Sequence, residues 1–60
     1  MMLTKIQIIE INSNHLIAEY PLVILEDCSR DFYFIDAWEN AVKEGLVDQY
    51  NRLNYDIAIL

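Results

Sequence analysis

The sequence predicts a small α+β domain, in which a mainly antiparallel sheet of roughly three to five strands is covered on one face by one main helix. The first half of the chain is rich in β-branched and aromatic residues and is interrupted by a polar turn at residues 12–14. Residues 36–45 carry the start and stop signals of a helix, and residues 55–60 have the alternating apolar pattern of a further strand. Sixty residues form one domain at most, so residues 1–60 are treated as a single unit.

The first half of the chain is predicted to begin with a β-hairpin. Residues 5–11 form the first strand, and residues 15–20 return after the Asn-rich turn. Pro21 cannot donate a ladder hydrogen bond, so it marks a bend, a bulge or a sheet edge. Residues 22–25 are apolar on both faces, and the parity of the apolar residues continues across Pro21. One long bent strand and two short strands are both compatible with this pattern.

The middle of the chain is predicted to contain a turn and then another strand. Residues 26–31 are polar, which is typical of a turn. Residues 32–35 have the sequence Phe-Tyr-Phe-Ile and fit a short strand that pairs with the strand before the turn.

The main helix is predicted from the residues at its two ends. Asp36 followed by Glu39 fits a capping box, because both side chains can accept hydrogen bonds from the first amides of a helix. Gly45 fits the left-handed position that follows the last helical residues. Residues 46–54 either form a second short helix or continue the first one through Gly45.

The apolar content exceeds what a chain of this length is expected to enclose. Hydrophobic residues make up 55% of the sequence, whereas a 60-residue domain buries only about 60% of the surface that its unfolded chain exposes. Some of these side chains are therefore expected to contact another polypeptide. The expected interface consists of the alternating residues of two predicted strands: Tyr33, Ile35, Tyr55, Ile57 and Ile59.

The charge of the chain argues against partners that carry phosphate. Ten acids against four bases give a net charge of −6, and the four bases are scattered singly. Nucleic acids and anionic membranes are bound through clustered Lys and Arg, so neither is an expected partner. The acids serve solubility, or they form an acidic surface for a basic partner. The residues of this expected acidic surface are Glu26, Asp27, Asp31 and Asp36.

Residues that could carry catalysis are sparse. Cys28 and His15 are the only thiol and imidazole in the chain, and the neighbouring acid Asp27 disfavours the reactive thiolate. One cysteine and one histidine do not complete a four-ligand zinc site, and one glycine does not make a phosphate-binding loop. We therefore expect no catalytic residues, no metal and no cofactor.

A calcium loop is considered and rejected for residues 27–38. Asp27, Ser29 and Asp31 have the spacing of the first three ligands of such a loop. Phe32 and Trp38 occupy the positions where the loop requires a glycine and a bidentate glutamate. A polar turn explains the segment better.

These observations favour a small acidic module without enzymatic activity that binds protein, either as a homodimer or as a subunit of a larger assembly. The first alternative is an acidic inhibitor or nucleic-acid mimic that occupies a basic groove of its partner. A second, less favoured alternative is an enzyme that uses Cys28 and His15. We expect a cytoplasmic location, because the start of the chain lacks the features of a secretory signal and the single cysteine fits a reducing compartment. No apolar stretch approaches the roughly 18–20 residues of a membrane span.

Overall fold

The computed structural model describes residues 2–25 and 29–60 of the chain. These residues form two strands, a helix, a short 3₁₀ segment and a third strand. Their bounds are Met2–Glu10 for β1, His15–Ile24 for β2, Arg30–Lys43 for α1, Gln49–Asn54 for the 3₁₀ segment and Tyr55–Ile59 for β3. The α+β class predicted from the sequence is confirmed, with a three-stranded antiparallel sheet and one main helix. No helix in the described part of the chain is long and apolar enough to cross a membrane.

The sheet has the strand order β2-β1-β3, which places β1 in the centre. Ile6 and Ile8 of β1 are the two largest fully buried side chains in the described residues, with 1% and 0% of their surface exposed. Ile8 lies between Ala18 of β2 and Ile57 of β3 in the register of the sheet. The centre of the core is therefore the middle of β1, enclosed by a strand on either side and by α1, which packs over β1.

One face of α1 packs onto this core. Tyr33, Ala37 and Ala41 are buried and recur every four residues, which places them on one side of the helix. The two alanines keep the helix close to the sheet, because they add little volume between the backbones. Hydrogen bonds attach both ends of the helix: Leu25 N–H donates to the Tyr33 hydroxyl at 2.8 Å, and the Tyr20 hydroxyl donates to the Glu44 carboxylate at 3.0 Å.

The prediction of a strand at residues 32–35 is wrong, because α1 begins at Arg30 and includes them. Ser29 occupies the N-cap position with extended backbone, and Asp31 lies in the first turn. A four-residue apolar segment fits a strand and a buried helical turn equally well. Asp36 and Glu39 therefore lie exposed within the helix and do not form the predicted capping box. The predicted turn at 26–31 lies partly outside the described residues, at 26–28.

The prediction for the other end of α1 is confirmed. Gly45 has a φ of 75°, in the left-handed region. The N–H of Gly45 donates to the carbonyl of Val42, and the N–H of Leu46 donates to the carbonyl of Ala41. These two bonds form a Schellman motif, which satisfies the last carbonyls of the helix.

The two questions that the sequence left open are answered by the backbone. β2 runs without interruption through Pro21, so this residue does not split the strand. Residues 46–54 do not continue α1: they contain the 3₁₀ segment, which is kinked at Asn51. The carboxylate of Asp48 caps this segment by accepting hydrogen bonds from the backbone N–H of Tyr50 at 3.0 Å and from the Asn51 side chain at 2.6 Å.

Replacing Gly45 with alanine tests the helix end. Apart from the chain neighbours of Gly45, no atom of the described residues lies within 4 Å of the position of the added Cβ, so the cost comes from the backbone at φ +75° and not from a clash. Gly45→Ala is expected to lower the free energy of unfolding by about 1 kcal/mol, measured by urea denaturation. Asn40→Ala, at an exposed position inside the same helix, is the control and should not destabilise the protein. Equal losses for both variants would contradict the role given to Gly45.

Candidate interaction surface

A large share of the apolar side chains lies at the surface of the single chain. The described residues contain six buried hydrophobic side chains and eleven large hydrophobic side chains that are exposed. The exposed set consists of Leu3, Ile11, Leu16, Val23, Leu25, Phe32, Ile35, Leu46, Tyr50, Leu53 and Leu60. Single exposed apolar residues are normal in soluble proteins, but this set outnumbers the core. The surfaces that hold them are therefore the candidate sites.

A groove on the side of α1 is a concave surface in the described part of the chain. Its lining consists of three apolar side chains, Phe34, Ile35 and Trp38, and two charged ones, Glu39 and Arg52. Its volume is about 160 Å³. Ile35 remains 58% exposed, so the wall is open to a partner. The groove combines a mainly apolar floor with one acid and one base.

An aromatic stack connects this groove to the start of β3. The ring centres of Trp38 and Tyr55 are 5.4 Å apart, and the guanidinium carbon of Arg52 lies 4.9 Å from the centre of the Trp38 ring. The Arg52 Nη1 atom donates to the Tyr55 carbonyl at 3.0 Å, and the Asp48 N–H donates to the Tyr55 hydroxyl at 3.2 Å. Such contacts fix side-chain positions, so the groove has a rigid end beside β3.

The outer edge of β3 is an open sheet edge. In the described residues β3 pairs only with β1. The N–H of Leu60 donates to the carbonyl of Lys5, so the backbone groups of Leu60 point toward β1. Because successive residues of a strand point their backbone groups to opposite sides, those of Ile57 and Ile59 point outward. Tyr55, Ile57 and Ile59 meanwhile direct half-buried side chains onto the core.

The sheet face opposite α1 carries a polar network at its centre. The Gln7 amide donates to the Glu19 carboxylate at 2.7 Å, and the Lys5 ammonium lies 3.4 Å from the same carboxylate. The hydrogen bond from Gln7 and then the charge of Lys5 hold the pKa of Glu19 below its usual value. These three polar side chains separate the exposed pair Leu3 and Val23, at one end of this face, from Leu16 at the other end.

Comparisons with protein-family models, with curated proteins and with solved structures find no match to this chain.

The structure separates the residues that the sequence analysis grouped as an interface. Tyr33 is 8% exposed and lies in the core, because residues 32–35 are helical and the predicted sheet face at this position does not exist. Ile35 lines the groove on α1. Tyr55, Ile57 and Ile59 lie together on β3, as the alternation predicts.

Trp38, Phe34 and Arg52 belong to the candidate surface although the sequence analysis did not assign them to it. Phe34 and Trp38 are four residues apart, which is the one local signal for their shared side of the helix. Arg52 has no such signal, because it is brought to Trp38 by the 3₁₀ segment.

The residues of the expected acidic surface do not lie together where the structure describes them. Glu26 and Asp27 lie outside the described residues. Asp31 and Asp36 are both exposed on α1, but five residues of helix separate their directions by about 140°. Glu19 projects from the opposite side of the sheet, where it bonds to Gln7.

The residues considered for catalysis form no site in the described part of the chain. Cys28 lies outside the described residues. His15 is exposed at the start of β2, opposite Glu10. Among the described residues, no group of three or more His, Cys, Asp and Glu side chains is arranged to hold a metal ion.

The network on the open sheet face predicts a specific pH dependence. A carboxyl group whose pKa is lower in the folded protein stabilises it above the unfolded pKa, and this contribution is lost as the pH falls through the folded pKa. The stability advantage of the native protein over Glu19→Gln should therefore be present above the usual value of 4.5 and be lost as the pH falls from there through the lower pKa of the folded protein. Urea denaturation of both proteins at about pH 6 and about pH 3 measures this difference.

The same comparison in a Gln7→Ala background is the control for this prediction. The Gln7 hydrogen bond is the largest cause of the lowered Glu19 pKa, so its removal should shrink the pH-dependent difference. An unchanged difference would show that the Gln7–Glu19 bond is not its source.

Proposed function

We propose that this chain is a non-enzymatic protein-interaction module whose partner is a second copy of itself. The observation that supports this function most directly is the distribution of its apolar side chains, since more large hydrophobic residues are exposed than are buried in the described structure. The groove on α1 and the open edge of β3 lie side by side, joined by the Trp38–Tyr55 stack. A small subunit of a larger assembly would present the same surfaces.

The area required for association is available on this chain. The accessible surface is 4515 Å². A stable dimer of standard size buries about 800 Å² on each partner, which is roughly a sixth of this surface. Cores of such interfaces are apolar and aromatic, with charges at the rim. The groove contains both kinds of side chain, with Ile35 and Trp38 in its wall and Glu39 and Arg52 in the same lining.

The same groove is poorly suited to small molecules. Ligand pockets usually have volumes of roughly 300 Å³ or more, whereas this groove has about 160 Å³. Its lining combines apolar side chains with one carboxylate and one guanidinium and contains no nucleophile paired with a base. We therefore propose binding and not catalysis as its role. The proposal includes a reducing compartment such as the cytoplasm, for which the single cysteine gives support.

The alternative of an acidic inhibitor or nucleic-acid mimic has less support. The net charge of −6 is compatible with it. Such a protein needs its acids gathered on one side, whereas Glu19 and Asp36 lie on opposite sides of the sheet. Charge for solubility accounts for the same composition.

Sedimentation at several protein concentrations tests the proposed self-association. The expected result is a species of twice the 7.1 kDa mass of a single chain, which dissociates on dilution. A protein that sediments as a single chain at every concentration up to about 1 mM, a value typical of weak complexes, would contradict self-association.

Two matched variants test which surface is used. Ile35→Glu places a charge in the groove, at a position where the side chain is already 58% exposed and folding should be preserved. Its dimerisation is expected to weaken by more than about tenfold, because the charge must be desolvated at the interface. Leu3→Glu makes the same change on the opposite face, at a side chain that is 77% exposed, and should dimerise like the native protein. If Leu3→Glu weakened dimerisation and Ile35→Glu did not, the interface would lie on the open sheet face.

A further inference from the structure

We infer that two copies of this chain join β3 to β3 in antiparallel pairing around a two-fold axis at Ile57, so that their sheets become one. This inference rests on the proposed function and names the geometry of the dimer. The partner is a second copy because the edge, the register and the groove beside them are self-complementary.

The two edges of the sheet differ in their ability to accept another strand. β2 carries Pro21 opposite Lys5, and the carbonyl of Lys5 accepts a hydrogen bond from β3. The backbone nitrogen of Pro21 therefore points outward and offers no donor to an added strand. A bulge at Ile17, where the register with β1 shifts, distorts the same edge. β3 has neither feature over its five residues.

The sequence of β3 selects one register for pairing with itself. Outward backbone groups belong to Tyr55, Ile57 and Ile59, so a two-fold axis can lie at residue 56, 57 or 58. An axis at Asp56 puts two carboxylates directly opposite each other, which is destabilising. An axis at Ala58 leaves Tyr55 without a partner. The axis at Ile57 pairs Tyr55 with Ile59 in both directions and allows up to about six backbone hydrogen bonds.

This arrangement also brings the two grooves together. A two-fold axis through paired strands stands perpendicular to the sheet, so both helices lie on the same face of the joined sheet. Three strand spacings separate the two β1 strands, or about 14 Å. The helices pack over these strands, whereas helices in direct contact lie about 8–10 Å apart. Large side chains fill such a gap, and the helix presents Phe34, Ile35 and Trp38 beside it.

The charges in the lining of the groove are compatible with two copies facing each other. Each groove carries one acid and one base, Glu39 and Arg52. A second copy therefore adds one negative and one positive charge to the interface. The remaining acids on the open sheet face, such as Glu19, project from the other side of the sheet. Strand pairing alone buries little surface, so a stable dimer also requires apolar contact between the two groove walls.

Single cysteines placed on β3 test the register. In a Cys28→Ser background, Ile57→Cys puts two sulfurs across the two-fold axis, where paired Cα atoms are about 5.5 Å apart and a disulfide can form. Asp56→Cys and Ala58→Cys are the matched controls for the other two registers. Under mild oxidation, Ile57→Cys is expected to form a covalent dimer at least about tenfold faster than either control, and the difference should vanish in urea. Faster linkage of either control would overturn the proposed axis.

Hydrogen exchange of the native protein gives a second, independent measurement. The N–H groups of Ile57 and Ile59 point outward and should become protected as the concentration rises, whereas Ala58, which bonds to β1, is protected throughout. If the protein dimerises while Ile57 and Ile59 exchange rapidly, pairing at β3 is wrong and self-association stands. If sedimentation finds single chains only, the proposed dimer and this geometry fail together.

Discussion

The structure depends on covering Ile6 and Ile8 in the central strand from all sides. Burial of one such side chain stabilises a fold by about 1.5–3 kcal/mol, which is a large fraction of what a small domain has. β1 and β3 come from distant parts of the chain, since Ile6 pairs with Ile59. The alanines of α1 close the remaining side. Because only these few groups are enclosed, any weakening of one layer exposes the centre of the core.

The sequence predicts the parts of this fold that have local causes. The hairpin follows from the Asn-rich turn, and the end of α1 follows from Gly45, whose left-handed backbone ends the helix. The start of α1 has a cause outside the local sequence. Residues 32–35 fit either a strand or a helix, and the helix is favoured because Tyr33 then joins Ala37 and Ala41 on the core, with its hydroxyl bonded to Leu25.

The candidate surface likewise contains residues that the sequence predicts and residues for which it gives no signal. Tyr55, Ile57 and Ile59 were predicted together because a strand alternates its side chains, and that pattern is visible in the sequence. The contact between Trp38 and Arg52 joins residues fourteen positions apart through the 3₁₀ segment, and no periodic pattern in the sequence predicts it. Tyr33 was misplaced because its predicted surface followed from the incorrect strand. The incorrect strand at residues 32–35 therefore put Tyr33 on the predicted surface, whereas the structure has it in the core.

The difference between the two sheet edges explains why association would stop at a dimer. An exposed strand edge is a general hazard, because it can recruit further chains without limit. Pairing of β3 with itself is isologous, so the dimer uses the β3 edges of both copies. The outer strands of the joined sheet are then the two β2 strands, where Pro21 and the bulge oppose addition. The open edge of β3 and the exposed Ile35 would thus be covered in a closed dimer, and the net charge of −6 on each chain keeps such dimers apart.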